Sequence, residues 1–243
     1  MLLPFLGIVI AFIVNHSAPG PTPQASARTA GGLDDVRAPL QSPEEALRSA
    51  AERYARDLRS ARLRNDERAI VYALLNLAGT HLRLGEATLA QQRYEEALTL
   101  VAGSDNRGQH AAVLNGLGAT ALARGGVGLA LEHHRQALRL AQRGGDEGQY
   151  AAGLSGIAEA YRRAGDAEGA VVYWEELARQ TEAQNDDVAR AYVLVELGVA
   201  RQAADRPVQA RQALAEAAAL ADALWYGELK QRAEEALEAL EPG

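Results

Sequence analysis

"NLAGTHLRLGEATLAQQRYEEAL", residues 76–98, has an Asn-Leu-Ala opening, a central glycine and a Tyr…Ala-Leu close. The outline returns at 116–138, 156–178 and 196–218, so the chain repeats itself with one constant period. That period aligns Leu74, Leu114, Leu154 and Leu194. It also aligns Leu77, Leu117, Ile157 and Leu197, each followed by Ala or Gly (Ala78, Gly118, Ala158, Gly198). Within one unit Ile70, Leu74, Leu77, Ala78 and His81 fall three and four apart, the spacing of one helix face. Gly85, Gly125 and Gly165 then stand where a helix ends with a residue at positive φ. A second helical face follows in Ala90, Tyr94, Ala97 and Leu98. The fourth unit has Asp205 in place of the glycine and Pro207 in the next helix's first turn. Asp66, Asn106, Asp146 and Asp186 recur between units, each suited to cap the helix that follows. No segment sustains the period-two alternation of a strand, so the spacing predicts an all-α array of helix hairpins.

The aligned residues resemble the tetratricopeptide-repeat family, whose units read Leu-Gly, then an aromatic, then Ala-x-x-x-aromatic. Here the pattern is Leu74-x-x-Leu77-Ala78-x-x-His81 with Ala90-x-x-x-Tyr94, and Leu154-x-x-Ile157-Ala158-x-x-Tyr161 with Ala170-x-x-x-Trp174. The other two copies keep Ala130-x-x-x-His134 and Ala210-x-x-x-Leu214, and depart from the aromatic at Ala121 and Arg201. The 40-residue unit is similar to the subclass seen in bacterial peptide-sensing regulators and some motor-associated chains. The resemblance implies a right-handed superhelical solenoid of four repeats, at about 66–103, 106–143, 146–183 and 186–223. Residues 43–62 read as a lone second helix sealing the front, and 226–240 as an amphipathic helix sealing the back.

The resemblance also implies that the first helix of each unit lines a concave groove. Opposite the packing face, unit one offers Tyr72, Leu75, Asn76, Gly79, Leu82 and Arg83, and unit two offers Ala112, Asn115, Gly116 and Ala119. Unit three offers Ala152, Ser155, Gly156, Glu159, Arg162 and Arg163, and unit four Tyr192, Val195, Glu196, Val199 and Gln202. The small residues of the middle units have two readings. They leave a roomy floor for a peptide between Tyr72 and Tyr192, or they let neighbouring helices approach. The arginines are either carboxylate contacts at the groove edge or solvated surface. The Lys/Asn/Arg clamp with which some family members grip a C-terminal carboxylate is missing, because those positions hold mostly Leu, Ala, Gly and Val.

Little else in the chain carries chemistry. Adjacent His133 and His134 diverge by about 100° on a helix, so they do not form a metal pair, and His134 takes the packing place of Tyr94 with His133 left at the surface. "GGVGLA", 125–130, is the turn inside a unit and not a phosphate loop. No set of nucleophile, base and orienting group can be assembled, so an enzyme is disfavoured and no cofactor or metal is expected. There is no cysteine, which excludes disulfides and thiolate chemistry. A net charge of −7 argues against nucleic acid as partner.

At the front, "LLPFLGIVIAFIV", residues 2–14, is an unbroken apolar run, followed by a Pro-, Gly-, Ala- and Ser-rich linker. As a helix it spans about 20 Å, short of the roughly 30 Å hydrocarbon core. That suits an export signal over 1–27 with Ala25-Ser26-Ala27 as cleavage site, or a short membrane anchor; residues 28–42 form the linker. A misassigned start codon would instead leave a cytoplasmic module. The expectation is a non-catalytic, exported or membrane-tethered scaffold that holds a protein or peptide segment in its groove. A peptide-sensing regulatory module is the alternative.

Overall fold

The computed structural model describes residues 42–240; the expected signal or anchor, 1–27, and the expected linker, 28–42, except Ser42, which caps the first helix, lie outside the described residues. Among the described residues there are helices and no strands. They run α1 (Pro43–Leu63), α2 (Glu67–Arg83), α3 (Ala87–Val101), α4 (Arg107–Ala123) and α5 (Val127–Gly144). Then follow α6 (Glu147–Arg163), α7 (Ala167–Ala183), α8 (Asp187–Ala203), α9 (Pro207–Ala223) and α10 (Gly227–Glu238). The starts of α2, α4, α6, α8 and α10 keep the period of the sequence, so the last helix is the first helix of a fifth unit. None of these helices is long and apolar enough to cross a membrane.

The local signals act as the spacing predicts. Asp66, Asn106, Asp146 and Asp186 each accept from the backbone N–H three residues on, at 2.9–3.1 Å. Inside the units Gly85, Gly125, Gly165 and Asp205 have φ of 78°, 81°, 77° and 57°. A second left-handed position, between units, is not evident from glycine placement: Asn65, Gly145, Asn185 and Trp225 occupy it with φ of 51°, 66°, 54° and 61°. Asparagine tolerates this region well, whereas a bulky aromatic is strained there. Trp225 is also 94% exposed, so it gains no packing in return.

One large side chain of each second helix is buried, and in the first two units it reaches the first helix of the next unit. Tyr94, His134, Trp174 and Leu214 are all buried. A Cβ on Gly118 would lie 2.6 Å from the His134 ring, and one on Gly156, in the next unit, 2.3 Å from it. The ring therefore sits between a first helix of its own unit and that of the following unit. A Cβ on Gly116, in the following unit, would lie 2.2 Å from the Tyr94 ring, and one on Gly198 of Leu214's own unit would lie 2.5 Å from Leu214. The core is continuous along the array, with Tyr150 packing against both of its main clusters.

Candidate partner-binding face

The first helices α2, α4 and α6 approach one another along the array, as do α8 and α10, while the second helices do not. An array whose first helices lie closer together curves with those helices on the inner side. Only between α6 and α8 do the inner helices stand apart. The inner layer thus has closed junctions and one splayed junction among the described residues.

The candidate groove residues divide sharply in this setting. On α2, Tyr72 and Arg83 are exposed, Leu75 is half-buried, and Asn76 and Gly79 are buried. On α4, Ala112, Asn115 and Ala119 are all inside, at 4%, 0% and 2% exposure. Ala152 and Ser155 of α6 are likewise buried, as is Val195 of α8. Tyr192 and Val199 are half-buried and Gln202 is exposed. The roomy floor between Tyr72 and Tyr192 is therefore not open in the middle units: their small residues let neighbouring helices approach. Gly116 and Gly156 are filled from behind by Tyr94 and His134.

The closed junction of α4 with α6 is held by a buried polar chain. Asn115 Nδ2 donates to the Gln149 carbonyl at 3.0 Å and to Gln149 Oε1 at 3.1 Å. The amide oxygen of Asn115 is left to accept from His134 Nδ1, 3.1 Å away. Burial is the main cause that lowers the His134 pKa to about 3, with neighbouring His133 adding to it. His134 is thus neutral with its proton on Nδ1, and its buried Nε2 has no hydrogen-bond partner. Asn115, read from sequence as a groove amide, is consumed inside the fold. His133, expected at the surface, is half-buried on the outer side of α5.

At the splayed junction the inner layer is charged. Glu159 of α6, 6% exposed, accepts from Arg162 Nε and Nη2 at 2.6 and 2.7 Å and from Arg163 Nε at 2.8 Å. Arg163 also donates from Nη1 to the Leu122 carbonyl of α4, at 3.0 Å. Across the gap Glu196 of α8, 5% exposed, pairs with Arg232 of α10. Burial pushes the Glu196 carboxyl above its ordinary range, with Arg232 pulling it back. The Glu159 hydrogen bonds hold Arg162 still more firmly protonated. The carboxylates lie beneath, while the Arg162, Arg163 and Arg232 side chains keep 34%, 27% and 29% of their surface. Arg232 escapes the sequence reading, yet it stands one repeat period after Tyr192, and carrying the register into the tail would find it. Gln149 has no sequence signal, since its role exists only once α4 and α6 meet.

The comparisons agree with this architecture. Residues 69–143 match the family model described as tetratricopeptide repeat. No curated protein sequence matches the chain. Among solved structures, BtubC (BKLC) from P. vanneervenii is 19% identical, with a TM-score of 0.58 over 80% of this chain and 89% of its own. A Podosopora anserina putative kinesin light chain with nearly identical TPR-like repeats is 17% identical, TM-score 0.56, over 77% of this chain and 100% of its own. In the APC/C hetero-tetramer Cut9–Hcn1 the match is 17% identical with a TM-score of 0.56, over 81% of this chain and 40% of that one. At these identities the likeness is one of fold. Residues 69–143 thus carry the match to the tetratricopeptide-repeat model, and the same helix hairpin continues to the fifth first helix.

Proposed function

We propose that the chain is a non-catalytic scaffold that docks a protein segment on its inner layer over the splayed α6–α8 junction. The observation that carries this reading is a pair of glutamates, both buried, at that one junction. Burying carboxylates is expensive even when arginines pair with them, and the α4–α6 junction closes on small residues and neutral hydrogen bonds without that cost. A buried carboxylate whose pKa is displaced beside a charged partner is a functional-site candidate. The rim available to a partner comprises Arg162, Arg163, Tyr192, Val199 and Gln202, which are half-buried or exposed. The exposed Tyr72 and Arg83 extend the same face toward the front. Export or membrane tethering through residues 2–14 belongs to this proposal, and N-terminal sequencing of the native protein tests it.

A photo-crosslinking amino acid placed at Gln202 or Val199, on the inner layer, tests the docking face in cells. Adducts with a partner protein are expected there and not from Gln136 or Arg211 on the second helices. Adducts only from the outer positions would overturn the reading.

A further inference from the structure

The outer layer repeats a smaller device, at the last position of each first-helix face. Positions 81, 121, 161 and 201 hold His, Ala, Tyr and Arg. In the third and fourth units the side chain reaches across to the preceding second helix, whereas in the first it bonds within its own unit. His81 Nδ1 meets Glu86 Oε2 at 2.6 Å. Tyr161 stacks on Tyr173, with ring centroids 5.6 Å apart, and its hydroxyl accepts from Arg135 at 2.8 Å. Arg201 donates from Nη2 to Glu175 Oε1 at 2.9 Å and from Nη1 to the Gln209 carbonyl at 3.3 Å. Ala121 reaches none of these, and beside it a cleft of about 560 Å³ opens between α3, α4 and α5. The corresponding cleft that Arg201 enters measures about 390 Å³.

The repeat itself shows what fits. Arg135 stands 26 residues before Tyr161, and Glu175 stands at the same distance before Arg201. The residue at that distance before Ala121 is Glu95, an exposed carboxylate on the cleft wall. Where that position is a cation the slot holds a phenol; where it is a carboxylate the slot holds a guanidinium. We propose that the slot left by Ala121 receives an arginine side chain of a partner protein, its guanidinium on Glu95 and its stem against Leu98, Leu117 and Leu129. The Leu129 carbonyl stands where that of Gln209 receives the second Arg201 hydrogen bond. Alkyl stems of arginine pack well on such apolar walls. His133 at the edge is held neutral by burial, which outweighs the opposing pull of Glu132, so it does not repel a cation. Arg124 closes one end, tied to Gln91, and Gln91 Nε2 donates to Glu95 at 2.7 Å. The slot lies on the outer layer, so its failure would leave the inner-face reading standing.

The test titrates the full chain with N-acetyl-argininamide, followed by backbone amide shifts in NMR. N-acetyl-citrullinamide and N-acetyl-tyrosinamide serve as uncharged controls. Saturable shifts centred on Glu95, Ala121 and Leu129 are expected with argininamide at millimolar concentration. Glu95→Gln weakens this binding about fivefold, the scale of one charge-assisted hydrogen bond at a wet site. Arg124→Gln strengthens it by removing the nearby like charge. Ala121→Arg abolishes it while the chain stays folded, because the side chain supplies the guanidinium from within. Citrullinamide or tyrosinamide binding as tightly as argininamide would overturn the proposal, as would binding that survives Ala121→Arg. Glu95→Gln lies on the surface and carries the test whether or not Ala121→Arg folds.

Discussion

Two neighbouring junctions of the inner layer use the same repeat to opposite ends. Between α4 and α6, Gly156 admits the His134 ring and Asn115 ties the helices through neutral hydrogen bonds. Between α6 and α8, the residue one period after Gly156 is Glu196, and the helices stand apart around charge. A ring can fill the space of a missing Cβ, but it cannot fill the space taken by a carboxylate that also demands a cation. The change from Gly156 to Glu196 therefore goes with the change from a closely packed junction to a wider, charged one.

The largest effect should come from closing the space that the sealed junction depends on. Gly156→Ala places a methyl 2.3 Å from the His134 ring. We expect a loss of about 2–3 kcal/mol, read from urea unfolding, because the ring is trapped from both sides and cannot swing away. If Gly156→Ala proves neutral, the sealed junction is looser than described and the contrast fails.

Acid should next distinguish the junctions by sign. The folded-state pKa of His134 is about 3 against an ordinary value of 6.5, so between these the unfolded chain binds a proton that the native chain does not. His134 thus favours folding fully above the unfolded pKa and loses that contribution as pH falls, by up to about 1.4 kcal/mol per pH unit. Glu196, whose carboxyl is raised, acts the other way: its contribution declines as pH rises through the carboxylate range. His134→Phe should flatten the acid limb of a stability–pH profile, and Glu196→Gln should steepen the net rise with pH. A profile that His134→Phe leaves unchanged would remove the neutral imidazole from the account.

Within the splayed junction the two glutamates should also differ. Glu159→Gln disrupts three charge-assisted hydrogen bonds and should cost about 2 kcal/mol by thermal unfolding. Glu196→Gln should change stability by less than about 1 kcal/mol, since relief of burial offsets the lost pair with Arg232. Equal costs at the two sites would show that the pairs are interchangeable, and would weaken the case that Glu196 is retained for binding.

The smallest effect compares turns instead of junctions. Trp225 occupies the left-handed position that Gly145 fills in an earlier unit. Trp225→Gly should raise stability by about 0.5–1 kcal/mol, the relief of strain exceeding the added freedom of the unfolded glycine. A melting temperature that falls instead would show that the exposed indole has a packing role.

Much of this architecture is legible in the sequence because packing in a repeat array is local. Leu74, Ala78, Tyr94 and their copies touch only their own and adjacent units, so an identical environment returns once per repeat. Caps and turn glycines are read from two or three residues each and need no tertiary knowledge. The inner face is harder. Helical periodicity shows which side of α4 faces α3, but it cannot show that α6 covers the other side, so Ala112, Asn115 and Ala119 pass for groove residues although they are inside. Gln149 and Arg232 escape for the same reason: their partners lie 34 and 36 residues away, on another helix.

The sequence by itself determined the helix hairpins, their order, their caps and the side chains that lock one unit to the next, since each depends on contacts at short range or at the fixed period. Only the tertiary structure decided which faces remain open. How closely two first helices approach depends on the combined volume and charge of both, as Gly156 beside His134 and Glu196 beside Arg232 show. No single helix contains that sum.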